Sequence, residues 1–265
     1  MTSGRKRGIL VYENTKKKRK NGEGSMNGAE TENRNVVALG EGEVLEDMLI
    51  DGLKIVQDTR LYRFTSDSVL LSRFAKPKKG DKAADFCAGS GIVAFHFYAL
   101  HKEKFPNMPF TLFELQKPLS DLSVKTAQYN GFDNFSFVNG ALQDIPKEYN
   151  EAFSLVLCNP PYERVGAGFD NDEYHKAICR KEITLTLKDI AKAAARVLKF
   201  GGRICMLHRA DRIAEVCYEL HEVNIEVKKM QFVGGRVASK PYLVMVEGVK
   251  GGKPNCEILE TIYNV

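Results

Sequence analysis

The stretch CNPPY (158–162) places an asparagine, two prolines and an aromatic residue directly after an apolar run. Proline has no backbone N–H and fixes its own φ, so two prolines at the end of a buried strand create a rigid turn. The side-chain oxygen of Asn159 and the carbonyl oxygen of Pro160 would then be two fixed acceptors for both N–H bonds of an exocyclic amine, such as N6 of adenine. Held in this way, the nitrogen lone pair faces an electrophile, and the planar base can stack on an aromatic ring. We therefore predict a catalytic motif of Asn159, Pro160, Pro161 and Tyr162.

The stretch DFCAGSG (85–91) ends another apolar run with small residues, and these allow a tight turn and close approach of a ligand to the backbone. Glu114 ends the next predicted strand, where an acid is placed to bind the two hydroxyls of a ribose. The turn lacks the third glycine of the dinucleotide pattern G-x-G-x-x-G. Asp85 would repel a pyrophosphate but attract a sulfonium cofactor that carries an amino group.

The turn and the acid together predict S-adenosylmethionine as the cofactor, which would leave as S-adenosylhomocysteine. The cofactor-binding residues expected from this pattern are Asp85, Cys87, Ala88, Gly89, Gly91 and Glu114, together with Asn159.

Strands that are apolar on both faces alternate with helical segments from residue 81 to the end of the chain. This alternation predicts an α/β fold with a mostly parallel sheet that carries helices on both faces. One predicted helix runs over 120–131, with Ser120 or Asp121 as N-cap and Gly131 as its end, and another runs over 181–202. The last two apolar runs, 225–233 and 241–250, are expected to be a closing pair of strands.

The net charge of +5 is concentrated at the start of the chain, where residues 1–35 hold nine basic and four acidic side chains. This segment lacks apolar periodicity, so we predict that residues 1–40 form a disordered basic tail and that one domain spans 41–265. Within that domain, residues 176–212 hold ten basic and three acidic side chains. Such a run is either a solvated helix face or a positive surface that meets phosphates, and the sequence leaves both open.

Further expectations concern the location of the protein and what it lacks. No apolar run approaches the ~20 residues that a membrane helix needs, and GILVY (8–12) is too short for a signal peptide, so we expect a cytoplasmic protein. The six cysteines are scattered without CxxC spacing, which favours free thiols and no metal site. We expect a monomer.

The chain resembles the class I S-adenosylmethionine-dependent N-methyltransferases in the order and spacing of DFCAGSG, Glu114 and NPPY. More narrowly, it resembles the bacterial tRNA1(Val) adenine-37 N6-methyltransferase family over residues 45–265. The segments 52–75, 177–216 and 240–254 carry this resemblance. The first of them contains the family's Phe-x-x-Asp-Ser signature as Phe64, Asp67 and Ser68.

The resemblance implies a Rossmann-like, seven-stranded, mostly parallel sheet with a reversed hairpin at its end. Two positions depart from the family pattern: Cys87 replaces the first glycine of the turn, and Ala141 replaces an acid expected near the adenine of the cofactor. Cysteine fits the first position if no positive φ is needed there. The backbone N–H of Leu142 and the carboxylate of Asp144 are the predicted substitutes at the second.

The resemblance implies transfer of a methyl group to N6 of an adenine in tRNA, with adenine 37 of a valine tRNA as the expected target. The alternative is a protein glutamine N5-methyltransferase, because an amide nitrogen also needs two acceptors and the same motif serves it. Those enzymes carry a helical domain of roughly 70 residues before the cofactor turn, and the segment from Glu41 to Gly80 is too short for one. The resemblance therefore favours RNA.

Overall fold

Nine strands form one mixed sheet in the computed structural model, which describes residues 10–13, 36–61, 63–64, 66–162 and 185–263. The strands of the described chain are β1 (Leu10–Glu13), β2 (Glu43–Asp47), β3 (Lys54–Asp58), β4 (Ala83–Phe86), β5 (Phe110–Glu114), β6 (Phe135–Asn139), β7 (Phe153–Cys158), β8 (Leu198–Arg209), β9 (Ile225–Gly234), β10 (Leu243–Lys250) and β11 (Glu257–Tyr263). β2 and β3 form a separate antiparallel hairpin.

The large sheet has the order β1-β6-β5-β4-β7-β8-β10-β9-β11. Strands β4 to β8 are parallel to one another, and β10 is antiparallel to both β8 and β9. The predicted α/β class, mostly parallel sheet and closing reversed hairpin are confirmed. The expected number of seven strands is low by two, because β1 and β11 add one strand at each edge.

β1 lies within the segment predicted to be a disordered tail and pairs antiparallel with β6. Residues 1–9 and 14–35 of that tail lie outside the described residues.

Five helices connect the strands within the described ranges. They are α1 (Ser66–Phe74), α2 (Ile92–His101), α3 (Lys117–Asn130), α4 (Leu187–Val197) and α5 (Ile213–His221). Buried apolar residues of α1 and α2, with Ala127 of α3, belong to one apolar cluster, and those of α4 and α5 belong to a second. Leu119 and Leu122 of α3 form a small third cluster with Val56 of β3. Side chains along β7 alternate between the two: Leu155 and Leu157 face the first, whereas Val156 and Cys158 face the second. The helices therefore cover both faces of the sheet, as predicted.

Three predicted helix boundaries are wrong. Helix α3 begins at Lys117, with Gln116 as N-cap and Pro118 in the first turn, whereas Ser120 is already inside the helix. Proline fits the first turn because its missing N–H would have no helical partner there. Helix α4 begins at Leu187 rather than at residue 181, because Thr186 caps its N-terminus; residues 181–184 lie outside the described residues. It ends at Val197 rather than at residue 202, since the chain passes into β8 at Leu198. Gly131 does end α3, with a φ of 69°.

Candidate active site

The carboxyl ends of three adjacent strands bring the predicted site residues together. Phe86, the last residue of β4, pairs with Phe113 of β5 on one side and with Cys158 of β7 on the other. The residues that follow these three are Cys87, Glu114 and Asn159, so they lie side by side at one edge of the sheet. Ligands of open α/β sheets bind at this edge.

Asp85 carries an orphaned acceptor. The side chain is buried, and its Oδ2 accepts a hydrogen bond of 3.1 Å from the backbone N–H of Ala94 in the first turns of α2. Its Oδ1 is also buried and has no hydrogen-bonding partner among the described residues. Burial, and secondarily the nearby charge of Glu114, raises the pKa of Asp85 well above its usual value. A ligand that supplies a cationic donor would satisfy Oδ1 and lower this pKa.

Glu114 joins the ends of β4 and β5 through its carboxylate. Its Oε2 accepts from the backbone N–H of Gly89 at 2.8 Å, and its Oε1 accepts from that of Gln116 at 2.8 Å. Burial raises the pKa of Glu114, and these two N–H groups partly oppose that effect. Each carboxylate oxygen can accept more than one hydrogen bond, so two hydroxyl groups of a ribose could still bind.

Cys87 has a φ of 57°, so the position does need a left-handed backbone, and the condition under which cysteine would fit without strain is not met. A side chain in this conformation costs about 1–2 kcal/mol relative to the unstrained right-handed region. The thiol of Cys87 lies against that of Cys158. Their hydrogen bond, together with burial, raises the pKa of Cys87 well above that of a free thiol.

Gly89 and Gly91 have different functions in the turn, although both have a positive φ (58° and 90°). A Cβ on Gly89 would meet no atom within 4 Å, so its backbone borders open space. A Cβ on Gly91 would lie 2.4 Å from the ring of Phe95 and 3.0 Å from Leu112. Gly91 is therefore required for packing, whereas Gly89 leaves room for a ligand.

These observations fit S-adenosylmethionine. The orphaned Oδ1 of Asp85 suits the amino group of the cofactor, the open space at Gly89 admits it, and Glu114 suits its ribose. Farther along the edge, Leu142 is buried at the start of a short 3₁₀ turn, Leu142–Asp144, whereas Asp144 is exposed. Ala88 is buried within the turn itself.

We expect Gly89→Ala and Gly91→Ala to separate binding from folding. Gly91→Ala should lower the free energy of unfolding by about 2–4 kcal/mol, from the clash with Phe95 and the positive φ. Gly89→Ala should cost only about 1 kcal/mol, but its methyl group should weaken S-adenosylhomocysteine binding by about tenfold or more. Urea unfolding and calorimetric titration measure the two effects. Equal loss of stability in both variants would contradict this assignment.

Asn159 follows β7, and its side chain is held at both ends. Its Nδ2 donates a hydrogen bond of 2.9 Å to Oγ of Ser68 in the first turn of α1. Its Oδ1 accepts a hydrogen bond from the hydroxyl group of Tyr162. Pro160 is buried and Pro161 is half-buried. The structure thus places all four residues of the predicted catalytic motif at the edge that carries Asp85 and Glu114.

Two residues near the end of β8 fix the position of Tyr162. Arg212, only 9% exposed, donates to the carbonyl oxygen of Tyr162 at 3.0 Å and pairs with Glu215 at 2.6 Å. The ring of His208 lies edge-on to that of Tyr162, with 5.5 Å between centroids. Burial, and secondarily the charge of Arg212, lowers the pKa of His208 to about 4, so the imidazole is neutral at pH 7. The sequence did not indicate that Arg212 or His208 would contact Tyr162.

The segment before the cofactor turn also reaches the site. Gln57, a buried residue of β3, donates from its Nε2 to Oγ of Ser90 within the turn at 2.5 Å. Its Oε1 accepts from the backbone N–H of Phe64 at 3.4 Å. The hydroxyl group of Tyr242 donates to Asp67 at 3.3 Å. The signature Phe64, Asp67 and Ser68 therefore borders the site, although the sequence did not indicate these partners.

Only some of the basic side chains in the stretch 176–212 are exposed to solvent. Its first nine residues lie outside the described ranges. Of the described cations, Arg203 is buried and pairs with Asp81 at 2.7 Å, and Arg196 donates to the carbonyl oxygen of Ile145. Lys188, Lys192 and Lys199 are exposed. Part of the positive charge in this stretch therefore stabilises the fold and does not face solvent.

Neither a membrane-spanning helix nor a metal-binding cluster is present among the described residues. None of the helices there combines the length and the apolar character that crossing a membrane requires. Within the same ranges we find no cluster of three or more His, Cys, Asp or Glu side chains arranged to hold a metal ion.

Fold and site together define a class I methyltransferase domain with S-adenosylmethionine as its cofactor. Residues 77–248 match the profile of a family described as "Methyltransferase domain", and the chain belongs to that family. This match covers all of the strands and turns described above from β4 to β10, except the last two residues of β10. A comparison with curated proteins gives no match.

Solved structures of similar fold share little sequence with this chain. A predicted O-methyltransferase, Atu636 from Agrobacterium tumefaciens, has a TM-score of 0.56 and 17% identity over 74% of this chain and 86% of its own. TYW2 of P. horikoshii in complex with MeSAdo has a TM-score of 0.54 and 13% identity, with coverages of 80% and 73%. NSun6 from Pyrococcus horikoshii with SFG has a TM-score of 0.53 and 13% identity, with coverages of 72% and 53%. At these identities the likeness shows the fold alone.

Proposed function

We propose that this methyltransferase transfers the methyl group of S-adenosylmethionine to the exocyclic N6 of an adenine in tRNA, with adenine 37 in the anticodon loop of a valine tRNA as the expected target. The observation that carries the proposal is the position of Asn159 (at the carboxyl end of β7), whose side-chain oxygen faces Tyr162 beside the cofactor edge. An acceptor amide fixed there suits a substrate nitrogen that still carries hydrogens.

The four residues of the motif have distinct roles in this proposal. Asn159 Oδ1 and the carbonyl oxygen of Pro160 accept the two N–H bonds of the amine and turn its lone pair away from the ring. Pro161 restricts the backbone so that the carbonyl of Pro160 cannot drift. Tyr162 stacks on the base, a contact worth roughly 1–3 kcal/mol.

The hydroxyl group of Tyr162 occupies the acceptor that the amine would use. Entry of the base therefore requires Tyr162 to exchange this hydrogen bond for a stacking contact, while Arg212 holds its backbone carbonyl in place. When bound, S-adenosylmethionine supplies an electrophilic methyl group on a sulfonium. The methylated amine is acidic, so water can take its proton without a strongly basic side chain.

Support for RNA comes from charge and from the resemblance to the tRNA methyltransferase family. Anticodon-loop bases are unpaired and can be turned into a pocket, while stem phosphates bind cations. The basic segment 1–35 and the exposed Lys188, Lys192 and Lys199 offer such cations. Between residue 36 and β4, the described chain holds one hairpin and one helix, which is less than the helical domain of a glutamine methyltransferase.

The decisive test offers both substrates to the protein. Methyl-labelled S-adenosylmethionine is incubated with the protein, total tRNA and a release factor, and the tRNA is digested to nucleosides. We expect label in N6-methyladenosine. Label in glutamine of the release factor would establish the alternative function, and label in another nucleoside would show that the target atom is assigned wrongly.

A further inference from the structure

We propose that Ser68 is a positioning residue that sets the orientation of the Asn159 side-chain amide. Its hydroxyl oxygen accepts from Nδ2 of Asn159 at 2.9 Å. This inference rests on the proposed function only for its kinetic consequence, since the contact itself exists without a substrate.

The fold explains why these two residues meet although 91 positions separate them in the chain. Cys158 faces the side of the sheet that α4 and α5 cover, so the next side chain, Asn159, is directed to the side that α1 covers. On α1, the inward residues Ser68, Leu71 and Ser72 recur at helical spacing, and all three are buried. Ser68 is the member nearest the site.

The orientation of the Asn159 amide matters because its oxygen and its nitrogen have opposite roles in hydrogen bonding. Oδ1 accepts hydrogen bonds and Nδ2 donates them, so an amide turned by 180° would present a donor to the N–H bonds of the substrate amine. Ser68 is only 4% exposed, so water cannot readily replace it as the partner of Nδ2. Satisfying Nδ2 on the α1 side leaves Oδ1 on the side of Tyr162, where the base is expected to stack.

Ser68→Ala should therefore release the amide without removing it. For methyl transfer, we expect kcat to fall by about 10- to 100-fold, a loss typical of a misplaced catalytic group, with the KM for S-adenosylmethionine within about twofold of wild type. Ser68→Thr keeps the hydroxyl group and should recover most of kcat. A purely structural role would instead lower the thermal midpoint and leave kcat at the level of wild type.

The matched control is Ser72→Ala, which removes a buried hydroxyl group one turn later on the same helix. Ser72 donates to the carbonyl oxygen of Val69 at 2.7 Å and contacts Nδ1 of His96 at 2.7 Å, but it does not bond to Asn159. Ser72→Ala should lower the thermal midpoint and leave kcat unchanged.

A readout that needs no substrate keeps this test separate from that of the proposed function. In ¹⁵N-labelled protein, the side-chain NH₂ signals of Asn159 are those that disappear in Asn159→Ala. In wild type and Ser68→Thr, we expect one of the two protons to be shifted downfield and protected from exchange. In Ser68→Ala its exchange should be about fivefold faster or more.

Each outcome decides the proposal. Unchanged Asn159 signals in Ser68→Ala, or an equal change in Ser72→Ala, would overturn it whatever the substrate is. Altered signals with normal kcat would also overturn it, because the orientation would then not matter. If wild type methylates a substrate other than tRNA, kcat is measured with that substrate and the same criteria apply.

Discussion

Asn159→Ala is expected to abolish methyl transfer, with a loss of at least about 100-fold, while S-adenosylhomocysteine binds within a few-fold of wild type. The side chain follows the end of β7, and its described partners are Ser68 and Tyr162 rather than residues of the glycine turn. Removing it takes away one of two acceptors for the amine and leaves Asp85 and Glu114 untouched. A fixed acceptor at the reacting group is worth far more than an ordinary surface hydrogen bond.

Transfer of labelled methyl groups and calorimetric titration with S-adenosylhomocysteine measure the two effects. Asn150→Ala, at an exposed asparagine before β7, is the matched control and should be normal in both assays. A tenfold or larger loss of S-adenosylhomocysteine affinity in Asn159→Ala would show that Asn159 acts mainly on the cofactor. Retention of activity would remove the main support for amine methylation.

The parts of the fold that could be predicted from sequence are those with local signals. β4, β5 and β7 are apolar on both faces, and they were predicted as strands from that pattern. Asp85 and Glu114 were placed at the carboxyl ends of β4 and β5, and the proline turn at the end of β7, but the order of these strands in the sheet was not predicted. Gly131 ended α3 as predicted because a left-handed C-terminal residue favours glycine. β11 was not predicted, since its residues are mostly exposed or half-buried and lack the continuous apolar run of the central strands.

The parts of the site that could not be predicted depend on contacts between distant segments. The bond between Ser68 and Asn159 exists because the pleat of β7 turns Asn159 toward α1, and no spacing in the sequence encodes it. The same holds for the bond of Gln57 to Ser90 in the glycine turn. The φ of Cys87 also could not be read from its residue type, because cysteine normally avoids the left-handed region; only the glycine that the resemblance places at this position pointed to it.

Glu114→Ala should produce the opposite result to Asn159→Ala. Its carboxylate already accepts from the backbone N–H groups of Gly89 and Gln116, and we expect it to bind the ribose as well. Losing two hydrogen bonds to a charged acceptor, at roughly 1.5–3 kcal/mol each, should weaken S-adenosylhomocysteine binding by at least about tenfold. The KM for S-adenosylmethionine should rise, while kcat at saturating cofactor should fall much less than in Asn159→Ala.

The control for Glu114→Ala is Asp121→Ala, which makes the same charge change on the exposed surface of α3. Asp121 pairs with Lys117 at 2.7 Å, and both side chains are more than 40% exposed, so this ion pair contributes little to the stability of the protein. The pair lies on α3 and does not involve the glycine turn. Glu114→Gln separates the two functions of the carboxylate, because it keeps a single acceptor oxygen and should therefore bind S-adenosylhomocysteine with intermediate affinity. If Glu114→Ala binds S-adenosylhomocysteine as tightly as Asp121→Ala does, the ribose does not bind at the end of β5, and Asp85 with the open space at Gly89 would have to hold the cofactor without it.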